Sequence, residues 1–266
     1  MYLDHTGILK MYKSNIKLIP STNIDDREVK HFSSQADGWW DPSGFFRPLH
    51  QINPLRLRYI RDQSVRHFNI EISSLNPLKG LTCLDIGCGG GLTSEPLTRM
   101  GAVVTAIDPS EENIATARAH ALNSGLDIDY RIETAEQLTE TGIYYDLVLC
   151  LEVVEHVPDQ SKLVKTVAKL VRPGGIVIMS TINRTLKSYA LAIIGAEYIL
   201  RWLPIGTHRW NKFLRPYELQ TFMNQAGLDQ FSLTGIVYDP LQCSWSLSGN
   251  TDVNYMVSVV RTDTTN

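Results

Sequence analysis

The chain has 266 residues, room for one domain with an insertion or for two small ones. Its 25 Lys+Arg against 28 Asp+Glu give a formal net charge of −3, so no global field draws it to nucleic acid. The four cysteines (Cys83, Cys88, Cys150, Cys243) form no C-x-x-C pair, which argues against a zinc site or a disulfide framework and fits a reducing compartment.

Residues 1–24 lack a clear pattern. Lys10, Lys13 and Lys17 stand with Asp4 and no arginine, a poor transit peptide, and no continuous apolar core suggests a secretory signal. This stretch is expected to be a mobile arm. Asp25 to Phe32 has the form of an acid-started amphipathic helix. Residues 36–54 set Trp39, Trp40, Phe45 and Phe46 among glycines and prolines, which predicts an irregular segment, either a wall of a binding site or a plug over the core. Asn53-Pro54 is expected to start a helix, with Pro54 at its first position.

The centre of the chain is Leu81 to Leu92. A short apolar strand runs into Asp85, then into a turn containing Gly87, Gly89, Gly90 and Gly91, then into a helix over 92–100. Such a loop brings backbone N–H groups against a nucleotide-like ligand. A dinucleotide fingerprint needs G-x-G-x-x-G, and Leu92 holds the third glycine's place; a P-loop needs a lysine, and none follows Gly91. What stands is Asp85-x-Gly87-x-Gly89-x-Gly91, which resembles the loop of class I S-adenosylmethionine (SAM)-dependent methyltransferases. The apolar run Ala102–Ile107 then ends in Asp108, about 20 residues past the loop, where a carboxylate can accept from both ribose hydroxyls. Asp108 could instead cap the helix that begins near Ser110.

Helix, strand and helix continue in alternation: 111–124 helical and ended by Gly125, 128–132 a strand, 145–152 a strand apolar on both faces, 159–170 helical, Arg172–Gly175 a sharp turn, 176–179 a strand. Alternation of this kind demands a parallel, doubly wound sheet. Just past the fourth strand, Glu152, Glu155 and His156 lie within one turn. They could converge on a hard divalent cation such as magnesium; Glu155 and His156 could instead cap the next helix or bond the loop, or His156 could act as a general base. Residues 186–205 are strongly apolar but far short of an uncharged membrane span, so they read as a lid or as an interfacial helix with Trp202 and Trp210 near headgroups. A helix from Arg215 to Gly227 and a closing pair of strands, 228–238 and 253–260, finish the chain.

The run W-W-D (39–41) followed by F-x-P-L-H-x-I-N-P-L-R (46–56), with Asp252 to Met256 near the end, resembles the ubiquinone-biosynthesis O-methyltransferases over roughly Glu28 to Val259. The resemblance implies an α/β, Rossmann-like class I fold of seven strands, the last antiparallel, with helices on both faces. It implies one domain over 25–266 after the arm 1–24, with an N-terminal cover over 25–75 and an apolar insertion over 183–215. It implies SAM as methyl donor, held by Asp85, Gly87, Gly89, Asp108 and Leu151, with Arg56 on its carboxylate, and a magnesium ion on Glu152, Glu155 and His156. The implied acceptors are ring hydroxyls of 2-polyprenyl-6-hydroxyphenol and of 3-demethylubiquinol. The implied setting is the cytoplasmic side of a bacterial inner membrane, or the mitochondrial matrix, with membrane contact through 186–205 and other quinone-biosynthesis enzymes nearby. A methyltransferase acting on a small acceptor outside quinone synthesis is the alternative.

Overall fold

Five strands carry the alternation expected: β1 (Thr82–Ile86), β2 (Val103–Asp108), β3 (Asp129–Ile132), β4 (Tyr145–Leu151) and β5 (Val171–Ile182). All pair in parallel in the computed structural model, which describes residues 23–71, 73–191, 209–240, 242 and 244–262. Because side chains alternate along a strand, each inner strand feeds two cores. In β4, Val148 and Cys150 face one core, with Leu163 and Val164 of α6 (Gln160–Leu170). Leu147 and Leu149 face the other, with Tyr59 and Ile60 of α2 (Arg47–His67) and Ile114 and Ala117 of α4 (Glu111–Asn123). Burial on both faces explains why these strands are continuous apolar runs.

Three further strands complete the sheet: β6 (Leu228–Asp239), β7 (Ser244–Ser248) and β8 (Asn254–Arg261), in the order β3-β2-β1-β4-β5-β8-β6-β7. β8 runs antiparallel to both β5 and β6. The seven expected strands are thus present, and β7 adds an eighth, antiparallel to β6, on the edge. The short elements α3 (Ser94–Arg99), α5 (Ala135–Thr139), α7 (Leu186–Ser188) and α8 (Pro216–Gln225) join α1 (Asp26–Ser33) around it.

Two local expectations are corrected. α2 begins at Arg47, with Pro48 in its first turn, so Pro54 lies inside the helix rather than at its start. Pro54 forfeits one intrahelical hydrogen bond, a cost offset by the burial of Ile52, Asn53, Arg56, Tyr59 and Ile60 on the same helix. Asn53 Nδ2 also donates to Leu92 O at 2.8 Å, tying the helix to the glycine loop. Arg172–Gly175 is not a turn between elements but an irregularity within β5: pairing jumps from Tyr145–Val171 to Leu147–Ile176. Among the described residues no helix is long and apolar enough to cross a membrane. Most of the expected arm (residues 1–22) and residues 192–208 of the insertion lie outside the described residues.

At the end of the sheet away from the glycine loop, Asp146 joins three strands. Thr82 donates to its Oδ2 from N and Oγ1 (2.8 and 2.7 Å), and Arg172 Nε donates to Oδ1 at 2.6 Å. Replacing Asp146 with Ala leaves the Thr82 and Arg172 donors unpaired. We expect Asp146→Ala to cost about 2 kcal/mol, measured as a lower urea midpoint, with cofactor affinity unchanged.

Candidate active site

The glycine loop leaves β1 with Gly87 at φ 70° and Gly89 at φ 53°, backbone conformations that disfavour a side chain. Its first two amides, Gly87 N and Cys88 N, donate to Ile107 O (2.8 and 3.1 Å), which fixes the loop against the end of β2. There Asp108 is 7% exposed, and its carboxylate accepts from Gly89 N (3.0 Å), Ser110 N (2.9 Å) and Asn113 Nδ2 (3.2 Å). Burial pushes its pKa up, and these three donors oppose the shift without cancelling it. The side chain that caps α4 is Ser110, whose Oγ accepts from Asn113 N, so Asp108 is free to face the cavity beside the loop.

Glycine at 89 and 90 has a second cause. A Cβ at either position would run into the indole of Trp39, and one at Gly87 into Val153. The aromatic segment expected as wall or plug is therefore a wall packed onto the loop. Trp39 stacks on Phe46 with ring centroids 3.6 Å apart, and Trp40 Nε1 donates to Gly90 O at 2.9 Å while its ring stacks on His120. Between this cover, the loop and the end of β4 lies a cavity of about 640 Å³. Arg56, Asp85, Gly87, Gly89, Asp108, and Leu151 all line it. Asp85 sits beneath the loop and accepts from Ser94 Oγ at 2.6 Å. Burial, with the Asp108 charge adding to it, raises its pKa to about 6.

The acidic cluster also lines the cavity, but its three members turn to different partners. Glu152, at φ 54°, accepts from Arg56 Nη2 (2.6 Å) and Ser180 Oγ (2.8 Å). Burial works against its charge, yet Arg56 and hydrogen bonds with Ser180 and Glu155 together outweigh it and hold the carboxyl below the usual range. Glu155 accepts from Thr181 Oγ1 at 2.9 Å; burial, and then the neighbouring Glu152 charge, push it well up. His156 Nδ1 pairs with Glu28 Oε2 at 3.1 Å, and Phe32 packs edge-on against its ring. The expected magnesium set is therefore not assembled: among the described residues no cluster of three His, Cys, Asp or Glu side chains is placed to hold an ion. The physical reason is that Arg56 already neutralises Glu152, while the imidazole points to α1.

Residues that sequence reasoning missed come from afar. Glu28 is 128 positions from His156, and Asn113 sits inside a helix where only its neighbours mark it as more than filler. Arg56 was expected on a cofactor carboxylate. It is held by Glu152, and its buried Nε has no hydrogen-bond partner, which leaves a donor for an incoming anion.

Comparison with known proteins agrees with this geometry. The methyltransferase-domain family matches residues 84–179, which include the loop, Asp108 and the Glu152–His156 segment. The ubiquinone biosynthesis O-methyltransferase of Azorhizobium caulinodans is 52% identical over 91% of this chain and 96% of its own length. That of Rhizobium rhizogenes is 53% identical over 90% of this chain and 97% of its own. The chain belongs to the ubiquinone biosynthesis O-methyltransferase family. It is a SAM-dependent O-methyltransferase of ubiquinone biosynthesis. The fold is shared more widely: the magnesium protoporphyrin IX methyltransferase of Synechocystis, solved with bound SAM, aligns with a TM-score of 0.60 at 21% identity, covering 90% of this chain and 98% of that one. The cavity suits SAM on its own terms, since it offers a buried acceptor at Asp108 and an unpartnered cationic donor at Arg56.

The raised pKa of Asp85 makes a prediction about stability. A carboxyl at about 6 in the fold and about 3.9 in the unfolded chain is bound more tightly to its proton when folded. Its contribution is fully present below the unfolded value and is lost as pH rises through the folded one. Asp85→Asn avoids that loss and can still accept from Ser94. The melting temperature of the variant minus that of the parent should therefore grow between about pH 4 and about pH 7. A constant difference would show that folding leaves the Asp85 carboxyl's proton affinity unchanged.

Proposed function

We propose that this enzyme methylates ring hydroxyls of polyprenyl phenols, 2-polyprenyl-6-hydroxyphenol and 3-demethylubiquinol, and that His156 takes the phenolic proton. The observation that carries the proposal is the pairing of His156 Nδ1 with Glu28 at the cavity wall. A carboxylate only accepts, so Nδ1 bears the hydrogen and Nε2 is the basic nitrogen. Glu28 is held in its charged form: burial opposes it, but His156, Lys212 and Arg209 together lower its pKa. This is the arrangement of a base oriented by a carboxylate.

Bound SAM supplies a methyl group on a positively charged sulfur. Asp108 would accept from a ribose hydroxyl, Arg56 would donate through Nε to its carboxylate, and Gly87, Gly89 and Leu151 would shape the wall beside it. The phenol oxygen forms the new O–CH₃ bond as the S–CH₃ bond breaks. The sulfur keeps the electron pair, S-adenosylhomocysteine leaves, and the phenolic proton passes to His156 Nε2. The chain's contribution is to hold the two centres in line, exclude water and receive that proton.

The acceptor class is supported by the relatives' names and by the cavity's apolar rim. Leu191 lines the cavity and is half-exposed, next to exposed Leu186 and Tyr189. We read this edge as the exit for the prenyl tail and as a membrane-facing patch; the remainder of the apolar stretch 186–205 lies outside the described residues. On this reading the enzyme works peripherally at the cytoplasmic face of a bacterial inner membrane, beside other enzymes of the pathway; a mitochondrial matrix is the other compartment considered.

Transfer from methyl-labelled SAM to a short-tailed polyprenyl catechol tests the chemistry. His156→Ala should lower kcat by about a hundredfold, the lower range for a lost general base, and Glu28→Gln by about tenfold, with SAM affinity retained in both. Parental kcat in His156→Ala would end the assignment of the base. A chelation arm belongs in the same assay: transfer that collapses with chelator and returns with magnesium would reassign Glu152 and Glu155 to ion binding. Separately, Leu186→Glu combined with Leu191→Glu should reduce sedimentation with anionic liposomes severalfold. Full retention would leave the edge as a tail exit alone.

A further inference from the structure

Asn113 has a role that none of the assignments above uses. Its side chain is almost fully buried, at 2% exposed, in the first turn of α4, and it lines the cavity. Both ends of its amide are engaged. Nδ2 donates to Asp108 Oδ1 at 3.2 Å, and Oδ1 accepts from Trp39 Nε1 at 2.9 Å. Only an amide can donate at one end and accept at the other in this position: a carboxylate could not donate to Asp108, and an apolar side chain could do neither.

The consequence for Asp108 is geometric. Oδ1 accepts from Ser110 N and Asn113 Nδ2, and Oδ2 accepts from Gly89 N. Two oxygens offer about four acceptor sites, so three are taken, one is left for a ribose hydroxyl, and the carboxylate plane is held through both oxygens. Removing Asn113 Nδ2 would leave Oδ1 with Ser110 N as its one remaining donor here and loosen the carboxylate's rotation about its last bond.

The consequence for the cover is a latch. Trp39 lies on Gly89 and Gly90 and stacks on Phe46. Its indole N–H is spent on Asn113, the residue that orients Asp108. A second tie runs beside it, since Ser33 Oγ at the end of α1 donates to Ser110 Oγ, the cap of α4, at 2.7 Å. The cover is thus registered on the same helix start that presents Asp108.

We propose that Asn113 is a positioning residue of the cofactor's ribose site, and that Trp39 locks it from the cover. The chain Trp39–Asn113–Asp108 sets the carboxylate plane that meets the ribose hydroxyls and makes tight ribose binding depend on a seated cover. The proposal rests on the reading of Asp108 as the ribose acceptor.

The test is a binding cycle by calorimetry on the full-length enzyme. The ligands are S-adenosylhomocysteine and its analogue with a 2′,3′-dideoxyribose, which lacks both hydroxyls. The proteins are the parent, Asp108→Ala, Asn113→Ala and Trp39→Phe; the last keeps an aromatic ring on Phe46 and removes the indole N–H together with part of the ring. Asn113→Ala should weaken S-adenosylhomocysteine by about tenfold and the analogue by much less, since the lost hydrogen bond acts only through the hydroxyls. Trp39→Phe should show the same selectivity at about threefold. Equal weakening of both ligands by Asn113→Ala and Trp39→Phe, with Asp108→Ala still selective, would make the chain a scaffold and overturn the proposal alone. Equal weakening by Asp108→Ala would overturn the ribose reading and the proposal with it.

Discussion

The ion pair between Arg56 and Glu152 is the contact on which the site depends. Arg56 comes from the middle of α2 and Glu152 from the residue after β4, and their 2.6 Å bond lies where the guanidinium side chain is 5% exposed. The Arg56 charge would be costly alone at that depth: removing one partner of a buried pair commonly costs several kcal/mol because the other is left uncompensated. The pair therefore holds α2 against the carboxyl end of the sheet. It also accounts for the tolerance of Pro54 within that helix, because the helix must pass this point to deliver Arg56.

The same pair decides the electrostatics of the acidic segment. With Arg56 beside it, Glu152 stays charged; with a charged Glu152 beside it, buried Glu155 is driven toward its protonated form. Two carboxylates close in sequence thus have opposite characters, one kept charged with a guanidinium beside it and the other raised first by burial and then by its charged neighbour. His156, next in the chain, escapes this pair because the peptide turns and presents its ring to Glu28 and Phe32 of α1. The cavity is therefore divided, with the Arg56–Glu152 pair and the Asp108 carboxylate at one end and an imidazole–carboxylate pair at His156 and Glu28 at the other.

The N-terminal segment, in consequence, is part of the site and not an appendage to it. α1 supplies Glu28, the aromatic stretch supplies Trp39 and Trp40, and α2 supplies Arg56, each of which touches a residue at the carboxyl ends of the parallel strands or in the glycine loop. An open parallel sheet leaves its binding crevice at those ends, and here the preceding segment closes it. The glycines answer to both demands, since the loop's left-handed turns need Gly87 and Gly89 while the indole of Trp39 needs the missing side chains at Gly89 and Gly90.

Much of this was legible in the residues themselves. Strand and helix alternation announces a parallel sheet because a buried strand must be apolar on both faces, and the glycine loop followed by Asp108 announces a nucleotide-like ligand because local backbone geometry requires those residues at those positions. The W-W-D and F-x-P-L-H-x-I-N-P-L-R runs pointed to the family that the relatives at 52% and 53% identity establish. Those signals are local, within one element or one turn. The partners of the charged groups were not local. Spacing left Glu152, Glu155 and His156 open to an ion, a cap or a base, and the family resemblance implied the ion; folding gave the first to Arg56, the second to Thr181 and the third to Glu28. Pro54 looked like a helix start because its own preference is for the first turn, and only the packing of α2 on the sheet overrode it. The edge strand β7 and the Trp39–Asn113–Asp108 chain were likewise decided by which surfaces meet across the sheet, since a hydrogen bond between residues 74 positions apart leaves no mark on the sequence near either.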